Sequence, residues 1–349
     1  MTRLAPVGRG GRPRWAALLA ILMAALVTAC SGGSSSPGGS AAGPGSAAAA
    51  ADRDSGSDSG GAPVVPYDVR PLLSPDRKYL GVAIDGAPGS SAVVDAYAGK
   101  VGKRPNLIEF YAAWGDGFDS AGARSAWAGG ALPMMAWEPF TPSLRQIADG
   151  ASDGYIRTFA ATVRDLNVPV AISLGHEMNG NWYPWGTKAT DAADFVRAWR
   201  HVHDLFLDVG ATTVIWVWSP NVVNPVPDVA LRPLYPGDAY VDWVGVTGYY
   251  TTNGQHTFAS LFGPTLRLVR AFTHRPVLIA ETGAQQGSRK PADVADLFAG
   301  VAASKDVVGF VWFEYAKRAD WRVTVAPAAL AQYRKAAADP RFGFDPRHP

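Results

Sequence analysis

Eight short, almost unbroken apolar runs recur from about residue 63 onward, separated by longer stretches of helical character. They are Tyr79–Ile84, Asn106–Tyr111, Leu132–Trp137, Pro169–Leu174, Thr213–Trp218, Val241–Thr247, Pro276–Ala280 and Val307–Phe313. A strand with one wet face alternates apolar and polar residues. These runs do not, so they read as parallel strands buried on both faces. Helical candidates are clearest at Ser143–Leu166, Ala189–Val209, Phe258–Phe272, Ala292–Val301 and Ala326–Ala338, while Gly and Pro interrupt the second and fifth connections. Eight strands with intervening helices predict a closed (β/α)8 barrel, a fold of about 250 residues that fits within residues 63–349. A doubly wound open sheet is the alternative, but no Gly-rich phosphate loop follows the first run.

The N-terminal residues have a different character. Arg3, Arg9, Arg12 and Arg14 precede an apolar run from Trp15 to Val27, a pattern expected of a secretory signal. The run is short for a bilayer span. It ends in small residues before Cys30, the only cysteine of the chain. That ending resembles a bacterial lipobox, which implies cleavage after residue 29 and acylation of Cys30. Ordinary secretion with cleavage near Ala29 is the alternative. Residues 30–62, rich in Ser, Gly, Ala and Pro, are expected to form a flexible linker to a catalytic domain at 63–349. The domain is then exported and lipid-anchored on the outer side of the cell membrane, or secreted. A single cysteine excludes an internal disulfide framework. The formal net charge of +2 gives no footing for nucleic acid.

Barrel enzymes build their sites at the carboxyl ends of the strands. Here those ends carry Asp85, Trp114, Trp137-Glu138, His176-Glu177, Trp218, Asn221, Tyr249-Tyr250, Glu281 and Trp312-Phe-Glu314. The fourth end continues into a loop with Asn179, Asn181, Trp182, Tyr183 and Trp185. Aromatic faces and amides suit sugar rings, which have apolar C–H faces and hydroxyl edges. Strands four and seven lie roughly across a barrel from each other, so Glu177 and Glu281 can flank one glycosidic bond. At about 5–5.5 Å such a pair works by double displacement with retention. Glu281 is then the nucleophile and should be ionised; Glu177 is the acid/base and should be held neutral. No cofactor is needed. His201 and His203 do not face each other on a helix and lack a third ligand, so no metal is expected.

The segment Gly-His-Glu-Met-Asn-Gly-Asn-Trp-Tyr-Pro-Trp-Gly at 175–186, with Ala-Glu-Thr-Gly at 280–283, resembles glycoside hydrolase family 26. The resemblance implies a retaining (β/α)8 hydrolase with Glu177 as acid/base and Glu281 as nucleophile. It implies that His176 binds sugar near the cleavage point and Trp182 forms an aromatic platform. Tyr249, with Tyr250 as a rival, matches a tyrosine that hydrogen-bonds the nucleophile, and Trp312 matches a tryptophan beneath the sugar before the scissile bond. At the third strand end this chain reads Ala136-Trp-Glu-Pro139, where the family's mannanases carry a histidine near that point. Mannan or glucomannan and mixed-linkage β-glucan therefore rank nearly level as expected substrates, with xylan behind. Trp114, Trp137, Glu138 and Asn221 complete the expected binding set, with simple packing the competing reading for the tryptophans. The alternative function is a surface lipoprotein that holds carbohydrate without cutting it. Nothing calls for a protein partner, so a monomer is the default.

Overall fold

The computed structural model describes residues 65–223 and 228–349. The expected signal peptide over 1–29, Cys30 and the expected linker over 30–62 lie outside the described residues.

Eight parallel strands close into one barrel in chain order: β1 Tyr79–Ala83, β2 Leu107–Ala113, β3 Leu132–Glu138, β4 Val170–Leu174, β5 Val214–Trp218, β6 Trp243–Tyr250, β7 Val277–Ala284 and β8 Val307–Phe313. β8 pairs back to β1 from Tyr79↔Gly309 to Ala83↔Phe313. All eight apolar runs are strands, and the closed (β/α)8 architecture is the one expected.

Side chains alternate between two cores, because successive residues of a strand point to opposite faces. Leu107, Leu132, Met134, Ala171, Ile215, Val217, Trp243, Leu278 and Val311 fill the barrel. Ile108, Met135, Ile172, Trp216, Val244, Ile279 and Phe310 face the helices. A short helix, α1 Arg70–Leu73, caps the amino-terminal end, where Leu72 O accepts from Tyr79 Oη and Leu73 O from Trp243 Nε1.

The helical layer departs from the expectation in two places, and the Gly- and Pro-interrupted fifth connection lacks an α-helix among the described residues. The predicted helix Ser143–Leu166 is two, Leu144–Ala148 and Asp153–Leu166. A capping box of Ser143 and Gln146 starts the first, and Gly150 at φ +89°, a conformation glycine adopts freely, breaks the chain between them. The predicted helix Phe258–Phe272 divides similarly, into Phe258–Leu261 and Gly263–Arg270. Between β5 and β6 the described residues hold two 3-10 turns, Arg232–Leu234 and Asp238–Tyr240, instead of an α-helix. Pro233 and Pro236 withhold the backbone donors a longer helix needs there. The doubtful second connection does fold, as Ser120–Ala128, with Asp119 accepting from the Gly122 amide. No described helix is long and apolar enough to cross a membrane.

Candidate active site

Glu281 reaches the mouth through an irregularity in β7. Gly245 and Thr247 of β6 pair with Leu278 and Glu281, and Phe310 and Trp312 of β8 pair with Ile279 and Thr282. Both neighbours advance two residues while β7 advances three, so β7 carries one extra residue, a β-bulge. The bulge aims Glu281 into the barrel just after inward-facing Ala280. There the hydroxyls of Tyr111 and Tyr249 donate to its two oxygens, Tyr111 to Oε2 and Tyr249 to Oε1. Burial pushes the Glu281 carboxyl up, while the two tyrosine hydroxyls and the Lys317 ammonium pull it back. Two donors and a cation make this the acid of the site that ionises first.

Glu177 sits beyond the tip of β4 with left-handed backbone, φ +54°, which is unusual outside glycine. Its amide donates to Ser219 O at 2.6 Å, locking the turn to the neighbouring strand end. Trp182 Nε1 donates to its Oε2 at 2.8 Å, and Asn221 Nδ2 donates to its Oε1. Gly180 permits the first of these bonds, since a Cβ there would lie 2.5 Å from the Trp182 ring. Asn179 holds Asn221 in turn, accepting from its amide at 2.8 Å and donating to its carbonyl at 2.9 Å. Burial first, and then the charge of Glu281, push Glu177 up to about 7, against the opposing pull of its two donors.

His176 is buried, and desolvation lowers it to about 4, so the ring is neutral. Its Nε2 meets the Tyr183 hydroxyl at 3.2 Å and its carbonyl accepts from Trp185 Nε1 at 2.7 Å. Glu138 is half-buried on the inner face of β3, pushed up to about 7 by burial and by Glu281. One mouth thus holds a charged carboxylate, a protonated carboxylic acid and a neutral imidazole. Such a set can attack an acetal carbon and protonate the oxygen leaving it.

The profile of glycosyl hydrolase family 26 matches residues 146–295, which span both glutamates. Over that span the barrel is similar to glycosyl hydrolase family 26. Endoglucanase H of Acetivibrio thermocellus is 28% identical over 271 residues, 74% of this chain and 30% of that protein. A mannan endo-1,4-β-mannosidase of Bacillus subtilis strain 168 is 29% identical over 132 residues, 35% of this chain and 33% of that protein. The chain thus spans about a third of the length of these two curated relatives. The structure of an endo-β-1,4-mannanase from Cellulomonas fimi superposes with a TM-score of 0.61 at 17% identity, covering 77% of this chain and 72% of that one.

Within this barrel, strand parity decides between the adjacent candidates. Trp243, Gly245, Thr247 and Tyr249 alternate inward along β6, which gives Tyr249 to Glu281; Tyr250 turns outward and donates to Asp296 at 3.1 Å. Two expected binding residues are corrected. Trp312 is fully buried on the helix side of β8, with Nε1 donating to Glu314 at 3.1 Å and Tyr333 edge-on at 5.7 Å. Trp137 is fully buried on the outer face of β3, stacked on Phe159 at 4.4 Å. Both belong to the layer between barrel and helices, because the inward positions beside them are held by Phe313 and Glu138. Trp114, half-buried just beyond β2, stacks on Trp137 at 4.4 Å and packs against Tyr155 at 5.3 Å.

Tyr111, Phe313 and Trp321 join the site without a place among the expected residues. Tyr111 had a legible signal, since Glu109 and Tyr111 are the polar positions of an otherwise apolar β2 at a spacing of two. Trp321 had none; it follows a two-residue hairpin, Ala316–Lys317 with Ala319–Asp320, that folds it against Tyr249 at 4.4 Å. His201 makes its bond to Asp153 at 2.6 Å, away from the mouth.

Proposed function

We propose that this chain is a retaining endo-β-glycanase that cuts β-linked polysaccharide, β-1,4-mannan or glucomannan or mixed-linkage β-glucan, by double displacement. The reading rests on the opposed supports of two carboxyl groups in one mouth. Glu281 has two phenolic donors and a nearby ammonium to hold its charge, whereas burial and that charge keep the proton on Glu177. Glu281 attacks the anomeric carbon as Glu177 gives its proton to the departing oxygen, leaving a glycosyl ester on Glu281. Glu177, now a base, takes a proton from water, which displaces Glu281 with the original configuration restored. Both covalent and acid–base catalysis come from side chains, so no cofactor enters.

The names of the relatives, an endoglucanase and a mannosidase, support both substrate classes. Glu138, rather than a histidine, contributes a largely neutral carboxyl beside Glu281, able both to donate to and accept from a sugar hydroxyl. The carbohydrate-holding alternative is less well supported, since two of the aromatics expected to contact sugar, Trp137 and Trp312, are fully buried. Export and lipid attachment at Cys30 complete the reading, resting on Arg-rich, apolar and small residues in that order.

Two measurements test it. Wild-type protein should release reducing sugar from linear mannan or barley-type β-glucan, and Glu281→Ala should lose at least about a thousandfold. Glu281→Ala cutting at the wild-type rate would remove the nucleophile assignment, and an inert wild type would favour the holding protein. Cys30→Ser should move the protein from the membrane fraction to the medium; no change of fraction would refute the lipid anchor.

A further inference from the structure

Phe140 stands out among the large apolar side chains left in solvent. It is 48% exposed, and the others so exposed among the described residues, Val65, Leu207, Leu268 and Val325, are aliphatic. It follows Glu138 and Pro139 at the carboxyl end of β3, on the rim of the mouth, where its amide donates to Glu138 O at 3.0 Å. A single exposed apolar side chain is ordinary; Phe140 is set apart by its place at the carboxyl end of β3, in contact with aromatics that reach His176.

The ring is fixed in place by its neighbours. Phe140 meets Trp185 edge-on at 5.1 Å and 68°, and Tyr183 at 6.4 Å and 70°. Tyr183 and Trp185 are themselves stacked, 4.3 Å apart and 9° from parallel. Trp185 is buried and donates to His176 O, and the Tyr183 hydroxyl meets the His176 imidazole. An unbroken train of aromatic contacts therefore runs from the residue beside Glu177 out to an exposed face. These T-shaped contacts engage one side of the Phe140 ring, and its exposure leaves area for a ligand. Glu138, two residues earlier on the inner face of β3, offers a carboxyl group within the mouth for hydroxyl groups.

We infer that Phe140, braced by Tyr183 and Trp185, forms an outlying sugar subsite that stacks an undecorated β-linked hexopyranose unit beyond those at the bond being cut. The inference rests on the glycanase reading and deepens it: the site takes chains longer than two units, and it prefers a ring whose C–H face carries no branch. The face of a pyranose matches the apolar area of one phenyl ring, while a branch on that side would lift the sugar off it.

Binding tests this without requiring turnover. Calorimetry on Glu281→Ala would compare mannobiose and mannohexaose, and a mixed-linkage disaccharide and hexasaccharide, with and without Phe140→Ala or Phe140→Tyr. Loss of one stacked unit should weaken hexasaccharide binding about tenfold and disaccharide binding less than about twofold, with Phe140→Tyr restoring the affinity. Thermal melts would confirm that each variant is folded. Equal hexasaccharide affinity with and without Phe140→Ala, or no hexasaccharide binding by Glu281→Ala itself, overturns the subsite. If Phe140 matters for binding while the wild type cuts neither polymer, the subsite stands and the hydrolase reading falls. If the wild type cuts but Phe140→Ala binds hexasaccharides normally, the reading stands and the subsite falls.

Discussion

Trp182 donates its indole N–H at 2.8 Å to Glu177 Oε2, on the carboxyl group proposed to carry the proton for the leaving oxygen. A donor of this kind favours the charged form, so it opposes the burial and the Glu281 field that raise Glu177 to about 7. The balance leaves an acid that holds its proton in a mildly acidic mouth and can still release it.

Weakening that bond should move the pH profile. In Trp182→Phe the charged form of Glu177 loses a donor, its proton affinity rises, and the alkaline limb of kcat, near 7 in the wild type, should shift upward. Glu177→Ala should lose about 10²- to 10⁴-fold on polysaccharide but far less on an aryl glycoside with an activated leaving group, which needs little protonation. An equal loss on both substrates would deny Glu177 the acid role.

The acid limb belongs to Glu281. Tyr249→Phe and Tyr111→Phe each remove one donor to its carboxylate, so its proton affinity rises and the acid limb should move to higher pH. Rates at neutral pH should fall by about ten- to a hundredfold for each. Tyr250→Phe, which touches Asp296 instead, should leave the acid limb where it is. A limb that moves only in Tyr250→Phe would reverse the assignment.

Stability should depend on pH through Glu177. Its folded proton affinity, about 7, lies above the ordinary 4.5, so between these values the folded state holds more proton than the unfolded one. Stability from this group is therefore full below pH 4.5 and is lost as pH rises toward 7. Glu177→Gln removes the dependence and should gain on the order of 1–3 kcal/mol over wild type at pH 8, with little gain at pH 4. Urea unfolding at the two pH values measures it. Asn221 can suit either form, its side-chain N–H meeting a carboxylate and its side-chain Oδ1, without a partner among the described residues, meeting an acid proton.

The corrected tryptophan offers a contrast. Trp312→Ala should cost about 3–5 kcal/mol of stability, as for other large aromatic truncations in a core. The folded protein that remains should keep its KM, because the ring does not reach the mouth. Trp182→Ala should do the reverse, raising KM and lowering kcat with a smaller change in melting temperature. A raised KM in Trp312→Ala with unaltered stability would return that residue to the binding surface.

The eight strands were legible because both faces of a barrel strand are buried, leaving continuous apolar runs that no other environment selects. The two glutamates were legible because a charge at the end of such a run has to face water or a partner. The Trp182 bond was near at hand too, since it closes over five residues within one loop. The order of strands around the barrel followed from their count and order in the chain.

Which face each strand-end residue presents was decided only by tertiary structure. With a period of two, one residue of register exchanges the barrel mouth for the helix layer, so Phe313 and Trp312, or Tyr249 and Tyr250, trade roles on a single step. That step is set by pairing with neighbouring strands, and in β7 by an extra residue visible only against β6 and β8. The partners of the two acids likewise come from afar: Asn221 lies 44 residues beyond Glu177, and Tyr111 lies 170 before Glu281. Local composition determined that a barrel would form and where its acids lie; long-range hydrogen-bond register determined which side chains surround them.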